Sequence, residues 1–244
     1  MTADEEPDLA VLFAPVDIEG AVLGVLAEAG AVLGGLDDPV DAELWGSDVI
    51  GALTAAANDE VRAMEAVARS LVPAAEEAAT PQALAMLRVF AVLGSASLRA
   101  TAGQAAARLA ASGIPDAAWA TVIGAPRVGD CWHYADVGGR QESLTLSFAY
   151  GDKEHGVSVL IDHGRGGKIK DAWVAKGPDL LLAAEVSTGG DPLVVFDMLA
   201  TAQARNRLEQ ALTAGECPEQ SDQADDITAH RALLRARLAQ LSVD

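Results

Sequence analysis

Three side chains with the chemistry of a general base or a metal site fall within one segment of the sequence, residues 142–174. They are Glu142, His163 and Asp171, two carboxylates and one imidazole. A carboxylate beside an imidazole can orient it as a general base, and the three groups together can supply ligands to a divalent metal ion. Their spacing matches no motif of known mechanism, so whether they meet depends on how the segment folds.

The segment alternates between apolar runs and turns that are rich in glycine and charge. Short strands are predicted at residues 131–137, 144–150, 157–163 and 169–174. Strands joined in this order by Gly-rich turns are typical of an antiparallel meander. Residues 193–199 (LVVFDML) are the candidate for a fifth strand.

The position of the candidate site depends on the register of these strands, because a slip of one residue moves every side chain to the other face. A turn at residues 151–154 places Glu142 opposite His163, and a five-residue second turn places Asp171 beside Ile161 on the same face. A catalytic cluster of the two carboxylates and the imidazole is therefore predicted at one end of the sheet. The alternative is that all three are ordinary solvated strand ends. The first turn also pairs Phe148 with Val157, Leu146 with Val159 and Leu144 with Ile161.

Three other groups carry weaker signals. Cys131 and His133 alternate along one strand, so both could ligate a metal ion from one face, although an ordinary core strand has the same pattern. Residues 152–154 (DKE) have the residue types of a metal-dependent nuclease, but they lie in a turn. Residues 164–167 (GRGG) could contact an anion, and a tight turn explains the same glycines.

The first half of the chain is rich in alanine and has helical periodicity. Thr80 and Pro81 begin one helix, since threonine caps a helix well and proline suits its first turn, and a further helix is predicted at residues 97–111. Two more helices are predicted at 201–212 and at about 228–241. The predicted fold class is α+β, with a helical bundle at 1–120 and, at 121–244, a small antiparallel meander packed with the C-terminal helices.

The chain of 244 residues carries a formal charge of −19. Such a charge repels nucleic acids and anionic membranes, whose binding depends on Lys and Arg, so neither partner is expected. No apolar stretch is long enough to span a bilayer, the N-terminus is acidic where a secretory signal is basic, and the two cysteines form no motif. These features predict a cytoplasmic protein.

Residues 150–173, YGDKEHGVSVLIDHGRGGKIKDAW, resemble a pattern of uncharacterised hypothetical proteins of actinobacteria. A succession of YG, EH, LIDH, GG and KDA recurs in that family. The resemblance implies no activity, cofactor or partner.

Two functions are compatible with these observations. The sequence contains no P-loop, nucleophile elbow, metal signature or dinucleotide fingerprint, so no cofactor is predicted. The first hypothesis is a non-catalytic acidic protein that acts through contacts with a protein partner or through self-association. The alternative is a metal-assisted hydrolase, or another enzyme, with its site at Glu142, His163 and Asp171.

Overall fold

Helices occupy most of the first half of the described chain. The computed structural model describes residues 18–177, 191–215 and 227–241. A π-helical turn, Val67–Leu71, joins two of the helices without a break. None of the described helices is long and apolar enough to cross a membrane. The helices are α1 (Ile18–Val32), α2 (Pro39–Ala57), α3 (Glu60–Ala66), α4 (Val72–Ala78), α5 (Pro81–Leu93), α6 (Ala96–Ala111), α7 (Thr201–Ala214) and α8 (Arg231–Gln240).

Side-chain caps determine where several of these helices begin. Thr80 accepts a hydrogen bond from the backbone N–H of Ala83, and Pro81 occupies the first helical position of α5, as the sequence predicts. Asp59 caps α3 and Ser95 caps α6 in the same manner. Each cap satisfies a backbone N–H that has no partner within the helix, so local sequence alone is enough to place these helix starts.

The strands form one antiparallel sheet, in the order β4-β3-β2-β1-β5. The first four follow one another as a meander, and the last pairs with the first. This architecture confirms the predicted α+β fold, including the fifth strand. The strands are β1 (Arg127–Asp136), β2 (Gln141–Tyr150), β3 (Lys153–Asp162), β4 (Lys168–Lys176) and β5 (Val194–Leu199).

The predicted register between β2 and β3 was wrong by two residues. Leu146 lies opposite Val157 instead of Val159, because the turn contains only Gly151 and Asp152. Gly151 has a φ of 64°, a left-handed conformation that suits glycine in a tight hairpin turn. A shift of two residues leaves each side chain on its predicted face, and the buried apolar face of the hairpin is therefore as expected.

The core of the protein continues across the boundary predicted at residue 120. Helix α8 packs on α2 and α5, while α7 packs on β1, β2 and β4. Phe90, Leu146, Leu208 and Leu234 are all fully buried and belong to a single apolar cluster. The division into two domains stays a prediction, and the described residues on both sides of it share one core.

Helix α2 and the segment that leads into α8 approach each other very closely. A Cβ at Gly51 would lie 2.6 Å from the carbonyl oxygen of Thr228, closer than backbone atoms allow. One turn earlier, Ser47 donates to the carbonyl oxygen of Ala229 and accepts from the N–H of Leu233. The C-terminal helix is thus held on α2 by a glycine contact and a buried hydroxyl.

Candidate functional site

The structure brings Glu142 and His163 together at one end of the sheet. Glu142 lies near the start of β2, and His163 immediately follows β3, where its N–H donates to the carbonyl oxygen of Arg140. The distance from His163 Nε2 to Glu142 Oε1 is 3.7 Å. The Glu142 side chain is buried and that of His163 is 44% exposed, so the pair extends from the interior of the protein to its surface.

Asp171 does not belong to this cluster. It pairs with Leu160, whose side chain lies on the opposite face of the sheet from Ile161, and its carboxylate accepts from the N–H of Ala172. The predicted pairing of Asp171 with Ile161 was wrong, because Asp171 lies opposite Leu160, one residue away, and Ile161 lies opposite Ile169. An irregularity between Leu160 and Ile161 causes part of this difference.

Two residues that were not assigned to this site complete it. Arg207 of α7 donates from Nη1 to Glu142 Oε2 at 2.6 Å, and the same nitrogen lies 3.2 Å from Nδ1 of His133 on β1. The sequence had suggested His133 only as a metal ligand together with Cys131. Nothing in the sequence indicates that α7 packs across this end of the sheet, so Arg207 could not have been found without the tertiary structure.

His133 is a neutral imidazole in this arrangement. Burial lowers its pKa, and the neighbouring Arg207 guanidinium lowers it further, whereas Glu142 and Asp197 act in the opposite direction. Because a guanidinium can only donate, Nδ1 of His133 accepts from Arg207 and Nε2 carries the proton. That nitrogen lies 3.7 Å from Asp197 Oδ2. The centre of the cluster is therefore one ion pair, Glu142 with Arg207, flanked by two histidines.

A cavity of about 300 Å³ opens beside the ion pair. Its polar end is formed by Glu142, Arg207, His163 and Gln210. The remaining wall consists of the apolar side chains of α7 and β3 and the turn after His163. We name this cavity the sheet-end pocket. Its other lining residues are Ile161, Gly166, Gly167, Ala211 and Ala214.

The structure gives no support for a chemical role of the other residues that the sequence had suggested, namely Cys131 and the DKE and GRGG segments. Within the described part of the chain, no three His, Cys, Asp or Glu side chains are placed to share a metal ion. Burial raises the pKa of the Cys131 thiol to about 11, so that thiol stays protonated near neutral pH. Lys153, in the DKE segment, donates to the carbonyl oxygen of Asp37. Gly166 and Gly167 have φ values of 81° and 78°, which the turn itself requires.

A second polar cluster lies deep between the helices and the sheet. Arg237 of α8 donates from Nη1 to Glu43 Oε1 of α2 at 3.0 Å and from Nη2 to Oε2, and both side chains are fully buried. The Tyr150 hydroxyl donates to Glu43 Oε1 at 2.8 Å and accepts from the N–H of Gly124. We name Glu43, Tyr150, His155 and Arg237 the buried network.

His155 completes the buried network on the sheet side. Its Nε2 lies 3.1 Å from Arg237 Nη2, and its ring stacks between Phe148 and Tyr150, with centroid distances of 5.8 Å to each. Burial, with the Arg237 charge beside it, lowers the pKa of His155 to about 3. The network joins two helices and two strands and its four side chains are buried, so its role is structural.

The outer edge of β5 is the third notable feature. Four large apolar side chains on and beside this strand are 44% to 63% exposed. No further strand pairs with β5 in the described ranges. The exposed side chains are Val137, Leu193, Val195 and Met198.

Comparison with protein families, with curated proteins and with solved structures finds no match to this chain. The resemblance of residues 150–173 to actinobacterial hypothetical proteins therefore stays a prediction.

Proposed function

We propose that this chain acts through contacts with a partner protein, which adds an extended segment to the edge of β5. The observation that carries the proposal is the group of exposed apolar side chains on and beside β5, whose outer edge pairs with no described strand. Exposed strand edges are templates for pairing with another chain, and peptide recognition by strand addition uses them.

The hydrogen-bonding pattern of β5 identifies the backbone groups that a partner would use. Val137 N–H donates to the carbonyl oxygen of Leu193 at 3.0 Å, which makes this a hydrogen-bonded pair of the β1–β5 ladder. Such pairs alternate along antiparallel strands, so the backbones of Phe196 and Met198 point away from β1. These two residues offer N–H and carbonyl groups to an incoming strand.

The two edges of the sheet differ in the features that prevent pairing. Strand β4 carries Lys168, Lys170 and Lys176, and its pairing with β3 is irregular. Lysines and bulges are the usual protection of an edge strand. Strand β5, VVFDML, has neither lysine nor proline. Of the two edges of the described sheet, that of β5 is therefore the one suited to strand addition.

Charge favours a basic partner segment over a second copy of this chain. The side chain of Asp197 on β5 is 63% exposed, and the whole chain carries −19 charges. No basic residue occurs from Asp191 to Ala204. Two copies paired at this edge would repel each other. Val195 and Asp197 lie two positions apart on one face of β5, so a partner strand with an apolar residue opposite Val195 and a Lys or Arg opposite Asp197 would match both.

A Met198→Pro variant should lose the partner without losing the fold. Proline removes an N–H that points away from β1, and edge strands tolerate proline at such positions. We expect a display library of random ten-residue peptides, screened on the immobilised chain, to enrich peptides in which an apolar residue and a Lys or Arg lie two positions apart, on one face of the added strand. Fluorescence anisotropy should then show at least a tenfold weaker affinity of these peptides for Met198→Pro.

Val61→Ser is the matched control, because Val61 is a 69% exposed valine on α3, far from the sheet in sequence. It should bind the same peptides as the unmodified chain does. Equal binding by Met198→Pro, or enrichment of peptides without basic residues, would contradict the proposal. Concentration-dependent dimers that Met198→Pro converts to monomers would show instead that the partner is a second copy.

A second candidate function is hydrolysis in the sheet-end pocket. It is favoured by the open cavity beside His163 and Glu142, where the imidazole could act as general base on water and the carboxylate could orient it. The described residues contain no group of three His, Cys, Asp or Glu side chains that could hold a metal ion. The mechanism considered for this site therefore uses only the imidazole and the carboxylate. Nitrophenyl esters of short acids are suitable test substrates.

If the pocket hydrolyses esters, the His163→Asn variant should do so about 10²- to 10⁴-fold more slowly than the unmodified chain. Asp171→Asn is the matched control, because Asp171 lies on the other face of the sheet and should leave the rate unchanged. The measurement is initial rate from pH 5 to pH 9. Equal rates in the two variants, or a rate no higher than that of buffer, would exclude hydrolysis at this site.

A further inference from the structure

The sheet-end pocket contains hydrogen-bond donors that make no bond to the described residues. Arg207 engages Glu142 and His133 through Nη1 alone, and among the described residues its Nε and Nη2 groups bond no protein atom. Gln210 lies one turn further along α7 on the same face and is exposed. A guanidinium edge beside a side-chain amide presents several parallel N–H groups, which suits a planar carboxylate.

The same pocket contains one acceptor that is also free. Glu142 binds Arg207 through Oε2, whereas His163 Nε2 lies 3.7 Å from Oε1, beyond hydrogen-bond distance, and no described residue donates to Oε1. Oε1 is not among the atoms that are buried without a partner, so it is open to the cavity. Unused donors and an unused acceptor thus lie side by side, on the two partners of one ion pair.

The rest of the wall limits the size and character of a ligand. Ile161, Ala211 and Ala214 form an apolar surface against the polar end. The cavity measures about 300 Å³, at the lower limit of small-molecule sites. A ligand of few atoms with a short carbon chain fits this surface.

We infer that the sheet-end pocket binds a small carboxylate whose neighbouring carbon carries a hydroxyl or an ammonium group. The carboxylate lies on the free edge of Arg207 and on Gln210, and the hydroxyl or ammonium group donates to Glu142 Oε1. The carbon chain contacts Ile161 and the alanines of α7. A phosphate dianion is disfavoured, because it would place two negative charges beside Glu142 where a carboxylate places one. The inference rests on the pocket alone and requires neither the partner segment nor hydrolysis.

Three probes of nearly equal size test the inference, namely propionate, 2-hydroxypropionate and 2-aminopropionate, with inorganic phosphate as the fourth. Each is titrated into the ¹⁵N-labelled full chain, and dissociation constants come from the shifts of the amide signals of Gly166 and Gly167, which line the pocket. We expect 2-hydroxypropionate or 2-aminopropionate to bind about tenfold more tightly than propionate, since these two donate to Glu142 Oε1 and propionate has no group that can. Phosphate should bind most weakly.

Gln210→Glu is the decisive variant, because it keeps the shape of an exposed side chain and places a negative charge where the carboxylate lies. It should weaken binding at least tenfold. Asn206→Asp adds the same charge to an exposed position of α7 outside the pocket and should have little effect. Arg207→Lys, which keeps the positive charge beside Glu142 but loses the planar edge, should also weaken binding.

Three results would overturn the inference: equal affinity for propionate and 2-hydroxypropionate, tighter binding of phosphate, or equal effects of Gln210→Glu and Asn206→Asp. The absence of saturable shifts with all four probes would do the same.

Discussion

Replacing Arg237 by methionine should destabilise the protein by about 3–5 kcal/mol, the usual cost of removing one partner of a buried ion pair. Glu43 would keep only the hydrogen bond from Tyr150 and would remain a charge in a site that excludes water. The guanidinium also lies 5.1 Å from the ring centre of Phe148, and this cation–π contact would be lost too. Urea unfolding followed by circular dichroism measures the change.

A double-mutant cycle separates the ion pair from the packing. Glu43→Leu with Arg237→Met should be much less destabilised than the sum of the single changes, because an apolar pair of similar volume leaves no buried charge. Arg88→Met is the surface control, since the Arg88–Asp116 pair is partly exposed and should contribute about 0–1 kcal/mol. Additive effects of the Glu43 and Arg237 changes would show that the buried pair is not coupled.

Acid should weaken the fold through His155. Its pKa is about 3 in the folded chain and close to 6.5 when the chain is unfolded, so below pH 6.5 the unfolded state binds a proton that the folded state does not. The stability present above pH 6.5 is therefore lost progressively as the pH falls towards 3. Each pH unit within this window corresponds to about 1.4 kcal/mol, so a few kcal/mol should be lost between pH 6.5 and pH 4.

His155→Gln isolates this contribution, since glutamine can still accept from Arg237 but does not titrate. The carboxylates of the chain titrate alike in both proteins, so the comparison cancels them. The free energy of unfolding of the unmodified chain minus that of the variant should decrease steadily from pH 7 to pH 4. If this difference stays constant from pH 7 to pH 4, the His155 imidazole is not the group that causes the loss of stability in acid.

The helices and strands were predictable because their signals are local. Thr80 and Pro81 place the start of α5 through a cap that spans three residues, and glycine-rich turns separate strands of alternating pattern. The faces of β2 and β3 were also correct although their pairing was not. A two-residue error preserves the alternation of side chains. Glu142 lies opposite Ile161 and not opposite His163 as predicted, but His163 is two positions further on the same face, and the two side chains still approach each other.

Asp171 shows how little separates a correct from an incorrect site prediction. The β3–β4 register differs from the predicted one by a single residue, and this moves the carboxylate to the opposite face of the sheet. The turn of His163–Arg165 with two left-handed glycines, and the irregularity at Leu160, determine that register. Neither the turn nor the irregularity can be predicted from the alternation of apolar residues.

The sequence by itself determined the α+β class, the elements and the residues that could do chemistry, since each depends on neighbours a few positions apart. Only the tertiary structure decided which of those residues meet. Arg207 reaches Glu142 across 65 positions and Arg237 reaches Glu43 across 194, and both contacts exist because apolar faces of α7 and α8 are buried on the sheet and on α2. Helix periodicity defines such a face but not the surface against which it packs, and the polar residues beside it acquire their partners from that packing.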